Sequence, residues 1–98
     1  MAGDAISVAP DKYKVLMEND RVRVLETVYG PGQASDMHSH PDTVVIVLTA
    51  AKGKFTLGDG HTVDFDMQPG QSMFVDAQDH TVENTGASEL RAILVELK

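Results

Sequence analysis

From Tyr13 onward, short apolar runs alternate with turn residues every eight to twelve positions, and within most runs hydrophobic and polar side chains alternate one by one. A period of two belongs to β-strands that bury one face. Tyr13 to Met17 is a weak first run. After Glu18-Asn19-Asp20 comes Arg21 to Tyr29, in which Val22, Val24, Glu26 and Val28 face opposite to Arg23, Leu25 and Thr27. Gly30-Pro31-Gly32 ends it. Ser35 to His40, Thr43 to Thr49, Lys54 to Leu57, His61 to Met67, Ser72 to Val75, Thr81 to Thr85 and Leu90 to Leu97 follow. Gly58-Asp59-Gly60 and Pro69-Gly70 supply turns, because glycine and aspartate tolerate positive φ and proline presets a turn angle. About nine strands in 98 residues leave no room for a helix of useful length. The expected fold is all-β, a single barrel or jelly roll over residues 13–98, since closing the sheet removes exposed edges. Residues 1–12, small and polar around Pro10, read as a loose N-terminal arm.

Composition narrows the function. A domain of this length buries a modest fraction of its surface. The chain has no cysteine, which removes disulfides, thiolate metal sites and thiol nucleophiles. Extra burial is therefore expected from barrel closure or a homodimer. Fifteen acidic residues against eight basic give a formal net charge of −7, so a phosphate backbone is repelled and nucleic acid is not an expected partner. The longest strongly apolar run, Val44 to Leu48, is far shorter than a membrane span. Met1 to Pro10 lacks the basic and apolar stretches of a secretory leader. The expectation is a cytoplasmic protein, without a membrane partner, that takes a small molecule as substrate or ligand.

Three of the four histidines carry the candidate chemistry. His38 and His40 stand two apart on one expected strand, so both rings share a face, roughly 6–7 Å apart along it. Two imidazoles so placed can converge on one ion at about 2.0–2.1 Å each. His80 lies forty residues on, at the start of another expected strand, where barrel closure can bring it to the pair. His61 abuts a hairpin turn and is read as a solvated ring. The residues alone leave open whether His38-Ser39-His40 is a metal site or a pair of solvated rings.

The surrounding residues resemble the two motifs of the cupin family. Gly32-x5-His38-x-His40 matches the opening of the first, and Pro69-Gly70-x5-Asp76-Ala77-Gln78-Asp79-His80-x3-Asn84 is similar to the second. The resemblance runs from about Val15 to Lys98. It implies a small single-domain cupin barrel with His38, His40 and His80 holding one divalent ion. Two departures stand out. The family's glutamate ligand has no counterpart: alignment on Val44-Val45-Ile46-Val47-Leu48 puts Thr43 there, with Thr43, Val45 and Val47 on the inward face. In the second motif Asp76 and Gln78 replace the proline and glycine, which changes how His80 is presented.

A three-histidine set without a carboxylate resembles the sites of three-histidine cupin dioxygenases. It leaves the metal's charge unneutralised and open positions for a ligand. Imidazole suits iron, nickel, copper and zinc alike, so the ligand type does not choose the metal. An anionic bidentate substrate, an enolate or hydroxy-ketone, is the expected match. The alternatives are a metal-binding sensor without turnover, and a metal-free isomerase or epimerase with a histidine base. The latter usually needs a tyrosine acid and basic residues; the chain has only Tyr13 and Tyr29 and few arginines. Among other polar residues, Asp64, Asp66 and Glu83 are expected on solvent faces. Asp79 is a turn residue that could orient His80, and Asn84 a structural strand-end residue. Met37, Met67 and Met73 are expected as core or interface filler, and Ser35, Ser39 and Ser72 lack a nucleophile's context.

Overall fold

A computed structural model describes residues 2–98. Nine strands run in chain order: β1 (Tyr13–Glu18), β2 (Val22–Tyr29), β3 (His38–His40), β4 (Thr43–Val47), β5 (Ala51–Leu57), β6 (Thr62–Met67), β7 (Ser72–Val75), β8 (Gln78–Asn84) and β9 (Leu90–Leu97). One helical turn, α1 (Ala5–Val8), precedes them. The strands form two antiparallel sheets, ordered β1-β2-β9-β4-β7 and β3-β8-β5-β6, in the expected jelly-roll arrangement. The turn glycines Gly32, Gly60 and Gly70 take positive φ, as expected of residues without a Cβ.

The period-two pattern selects the inward faces. On β2 the buried side chains are Leu25, Thr27 and Tyr29, and on β9 they are Leu90, Ala92, Leu94 and Glu96. β2 and β9 pair over their whole length, from Val22↔Leu97 to Tyr29↔Leu90. On β4, Thr43 and Val47 are buried and Val45 packs against the core, the face expected from the sequence. Thr43 lies opposite Glu96 in the β4–β9 register.

The structure differs from the sequence reading in several places, three of which bear on the site. β1 is a full six-residue strand along β2, with an irregularity between Val15 and Met17. β8 begins at Gln78, which puts His80 inside a strand rather than at its start. Residues 1–12 were expected as a loose arm; Met1 lies outside the described residues, and residues 2–12 are docked, with Ala5 fully buried and Ala9 in the core. Gly3 carbonyl oxygen accepts from Ser39 N at 2.8 Å, and Asp4 makes a parallel bridge with Ser39. β3 ends its sheet with β8 on one side only, and the arm covers the free edge that would otherwise hold unpaired backbone groups.

Gly53 is fixed by close approach. A Cβ there would stand 2.4 Å from Phe65 Cζ and 2.5 Å from the Glu83 carbonyl oxygen. Phe65 can turn, but the β8 backbone cannot move without disturbing the register that carries His80. Gly53→Ala is expected to cost about 1–3 kcal/mol of stability, read by urea denaturation; a variant as stable as the parent would contradict the packing.

Candidate metal centre

His38 and His80 face each other as a cross-strand pair of β3 and β8, and Ser39 pairs with Asp79. His40, two residues along β3, points to the same side as His38. Strand pairing alone thus joins the distant third histidine to the H-x-H pair. All three rings are buried. Their centroids form a near-equilateral triangle, with separations of 4.9 Å (His38–His40), 5.0 Å (His38–His80) and 5.1 Å (His40–His80). One ring nitrogen from each lies within 4.8 Å of the others.

Hydrogen bonds fix the rings. His38 Nδ1 donates to the Asp36 carbonyl oxygen at 2.8 Å. His40 Nδ1 donates to Glu96 Oε2 at 2.6 Å, and His80 Nδ1 to Gln78 Oε1 at 2.9 Å. Each partner is an oxygen that can only accept, so each Nδ1 holds a proton, and a ring in its neutral form carries its lone pair at Nε2. Phe55 stacks on His80 with ring centroids 4.7 Å apart, which sets that ring's plane. His40 Nε2 is buried and has no hydrogen-bond partner among the described residues. Leaving such an atom unpaired costs about 1–3 kcal/mol. A metal ion would satisfy it, so the donor set fits one: three imidazoles whose Nε2 atoms converge while their Nδ1 protons turn outward.

Burial, reinforced by the neighbouring His40 and His38, pushes the His80 pKa down from 6.5 to about 3. Burial also lowers that of His38. Both rings are therefore neutral at pH 7, the form that binds a metal.

Glu96 is the residue the sequence reading missed. It is buried at 2% exposure. Burial opposes its charge, but hydrogen bonds from His40 and Arg23 outweigh that and hold its carboxyl below the usual range. Arg23 Nε donates to Glu96 Oε1 at 2.6 Å. A signal for it exists: period two places Glu96 with Leu90, Ala92 and Leu94 on the inward face of β9, where a lone carboxylate needs a partner. Thr43, which the sequence reading aligned with the glutamate of the resembled motif, is buried and donates from Oγ1 to the Pro41 carbonyl oxygen. Across the ladder from it, Glu96 supplies a carboxylate one ring further out.

Tyr13 and Tyr29 were also undervalued. The Tyr13 hydroxyl is 3.1 Å from His38 Nε2 and 2.8 Å from the Tyr29 hydroxyl. Burial, then proximity to Tyr29, raises the Tyr13 pKa well above 10, so its proton stays on. Asp79, considered as the orienter of His80, instead accepts from Ala2 N, and Gln78 does the orienting. Asn84 is structural: buried, it donates to the Tyr29 and Ser88 carbonyl oxygens. Glu83 faces solvent beside Lys54, as do Asp64 and Asp66. His61 pairs with Asp59 on the exposed turn. Ser39 is held by its backbone and Ser35 Oγ accepts from Val82 N, while Ser72 is exposed. Met67 is buried, Met73 packs against the core, and Met37 is half-buried outside it.

An apolar cavity of about 60 Å³ lies between the sheets, its wall including His40 and His80 at one side and Val45, Val47, Met67 and Leu94 beyond. One water fills about 10–15 Å³ of such space, so the cavity admits a few waters or one small ligand.

The architecture and the site together define a small single-domain β-barrel with a buried three-histidine cluster able to hold a metal ion. The cupin domain family matches over residues 25–96, and the chain belongs to it. Among solved structures, a cupin domain from Bordetella pertussis Tohama I is 27% identical at a TM-score of 0.79, over 88% of this chain and 91% of that one. A conserved Klebsiella pneumoniae protein with a double-stranded β-helix domain is 20% identical at a TM-score of 0.69, over 87% and 74%. The polyketide cyclase RemF from Streptomyces resistomycificus is 20% identical at 0.66; the match spans 87% of this chain and 63% of that enzyme. The latter two likenesses bear on the fold alone. None of the curated proteins matches the chain. No helix among the described residues is long and apolar enough to cross a membrane.

The depressed histidines set the acid response of the metal-free protein. An unfolded chain takes a proton on His80 below about pH 6.5, while the folded chain resists until about 3. The unfolded state thus binds more protons in that window, and stability present above 6.5 is lost as pH falls through it. Lowered carboxyl pKa values at Glu96 and Asp4 act in the same direction at more acid pH. The thermal midpoint in chelator is expected to fall steadily from pH 7 to pH 4, and His80→Gln to flatten the upper part of that fall. A midpoint independent of pH would contradict the burial of neutral rings.

Proposed function

We propose that this protein is a mononuclear metal cupin, with His38, His40 and His80 as ligands, acting in dioxygenase-like fashion on a small enolisable or hydroxy-ketone compound. The observation that carries it is the outward commitment of all three Nδ1 protons, which leaves three Nε2 lone pairs converging, one of them buried and unpartnered. When bound, a divalent ion supplies a Lewis acid and, if redox-active, the one-electron chemistry that oxygen requires. The chain supplies the rest. Glu96, Asp36 and Gln78 hold the ring protons, and Phe55 fixes a ring plane. The apolar wall offers water few partners and accepts hydrocarbon. Tyr13 keeps its phenolic proton at the edge of the site, where it can donate to an anionic oxygen once His38 Nε2 is otherwise engaged.

The neutral ligand set favours an anionic, bidentate head, and the cavity favours a small apolar body. Iron loading under nitrogen is expected to give one ion per chain, with His38→Ala and His40→Ala each abolishing it. Oxygen uptake with small 1,3-diketones and hydroxy-ketones is the test of turnover. One bound ion with no uptake across a broad panel would leave a metal-binding sensor.

A second, metal-free reading has one observation in its favour. The Glu96–His40 pair with a free Nε2 and the Tyr13 phenol nearby form a base and an acid of the kind an isomerase uses. Elemental analysis of protein purified without a histidine tag separates the two: less than a tenth of an equivalent of metal, with retained isomerase activity, would favour this one.

A homodimer is part of the proposal. β1 is an edge strand on which Val15, Leu16 and Met17 are each at least 40% exposed, and a second copy would cover them. Light scattering is expected to give the mass of two chains, and Met17→Glu to shift it toward one. A clean monomer for the parent chain would remove the claim.

A further inference from the structure

The docked arm is linked to the ligand His40 by an unbroken chain of charged contacts. Asp4 Oδ1 accepts from Arg23 Nη2 at 2.6 Å and Oδ2 from Nη1 at 3.2 Å. Arg23 Nε donates to Glu96 Oε1, and Glu96 Oε2 accepts from His40 Nδ1, both at 2.6 Å. The guanidinium is thus held by one carboxylate on its fork and by another at Nε, in a planar geometry that lysine cannot reproduce. Charge alternates along the chain, from the half-exposed Asp4 inward to Glu96 at 2% side-chain exposure. The arm reaches the same strand by backbone as well. Ser39, between the two histidines of β3, donates its N–H to the Gly3 carbonyl oxygen, and Asp4 also caps α1 by accepting from Ile6 N.

We propose that the arm of residues 2–9 is a positioning element of the metal centre, in which Asp4, acting through Arg23 and Glu96, holds the His40 ring and sets its strength as a ligand. The inference rests on the metal-binding reading above. The physical argument is one of charge compensation. Glu96 draws on the Nδ1 proton of His40 and so makes Nε2 a better donor. Arg23 alone would pull the carboxylate away from the ring and add positive charge beside the ion. Asp4 shares the guanidinium and limits both effects. Removing its charge weakens the ligand from a distance, without touching the site.

The test is cobalt(II) affinity of the full chain, by competition with a chromophoric chelator, for the parent and for Asp4→Asn, Glu96→Gln, the double variant and Arg23→Lys. Asparagine keeps the cap of α1, and the metal-free thermal midpoint reports whether each variant folds. Glu96→Gln is expected to weaken binding about 10–100-fold and Asp4→Asn about 3–10-fold. In the Glu96→Gln background Asp4→Asn should change it less than about twofold, because its route is gone. Arg23→Lys should weaken binding to a similar degree as Asp4→Asn. Asp4→Asn that binds as the parent does, or that loses the same factor in both backgrounds, overturns the proposal while leaving the metal reading intact. A parent chain that takes up no cobalt, or a His40→Ala variant that binds as the parent does, overturns the metal reading and the proposal with it.

Discussion

Everything at the site depends on the pairing of β3 with β8 in the register that sets His38 against His80. β3 is only three residues long, too short to hold a register by its own ladder. A slip of one residue would turn Ser39 inward and both histidines out. The register survives because β3 is gripped on both edges, by β8 on one side and by the backbone of Gly3 and Asp4 on the other. β8 is in turn held by β5, whose Gly53 lets the strands approach closely. The geometry of three rings is thus a property of the sheet, stabilised from its edge by residues that resemble a tail.

Charge is handled by the same packing. Three rings within about 5 Å of one another in an apolar interior cannot all carry protons, since like charges in a poorly solvated site repel strongly. Burial keeps His38 and His80 neutral. The carboxylate that steadies His40 could not be buried alone, because an unpaired buried ion costs several kcal/mol. Arg23 answers Glu96, and Asp4 answers Arg23 near the surface. The arm, strand β2 through its Arg23, strand β9 through its Glu96, and the ligand strand β3 are joined by that compensation as well as by their apolar contacts.

The fold was largely legible in the sequence, because turn residues and period-two runs are local. Ser72 to Val75 and Leu90 to Leu97 coincide with β7 and β9, and the inward face of β4 was read correctly at Thr43, Val45 and Val47. His38, His40 and His80 were legible as a set through motif spacing, although their meeting needs only one strand pair rather than barrel closure. What the sequence hid is non-local. Tyr13 opens a run that looked weak, yet its hydroxyl meets His38 because β1 lies along β2. Asp4 looked like a polar residue in a loose arm; its partner is nineteen positions away. Glu96 could have been found by asking why a carboxylate shares a face with Leu90, Ala92 and Leu94.

The pairing of Thr43 with Glu96 places a carboxylate next to the position where the resembled cupin motif has its glutamate. In the β4–β9 ladder the two positions are direct neighbours, so an acid on β9 stands within reach of the same rings. It now contacts His40 Nδ1 rather than the centre of the triangle. There it supports a ring instead of joining the triangle: the three converging atoms are all imidazole nitrogens, and the carboxylate is shared with Arg23. On the proposed reading, a cation held there keeps most of its charge for an incoming anionic ligand. The side of the site facing β4 is left to a threonine whose hydroxyl is already spent on the Pro41 carbonyl. The proposed preference for a small acidic enol over a neutral compound rests on that arrangement and not on which metal the imidazoles take.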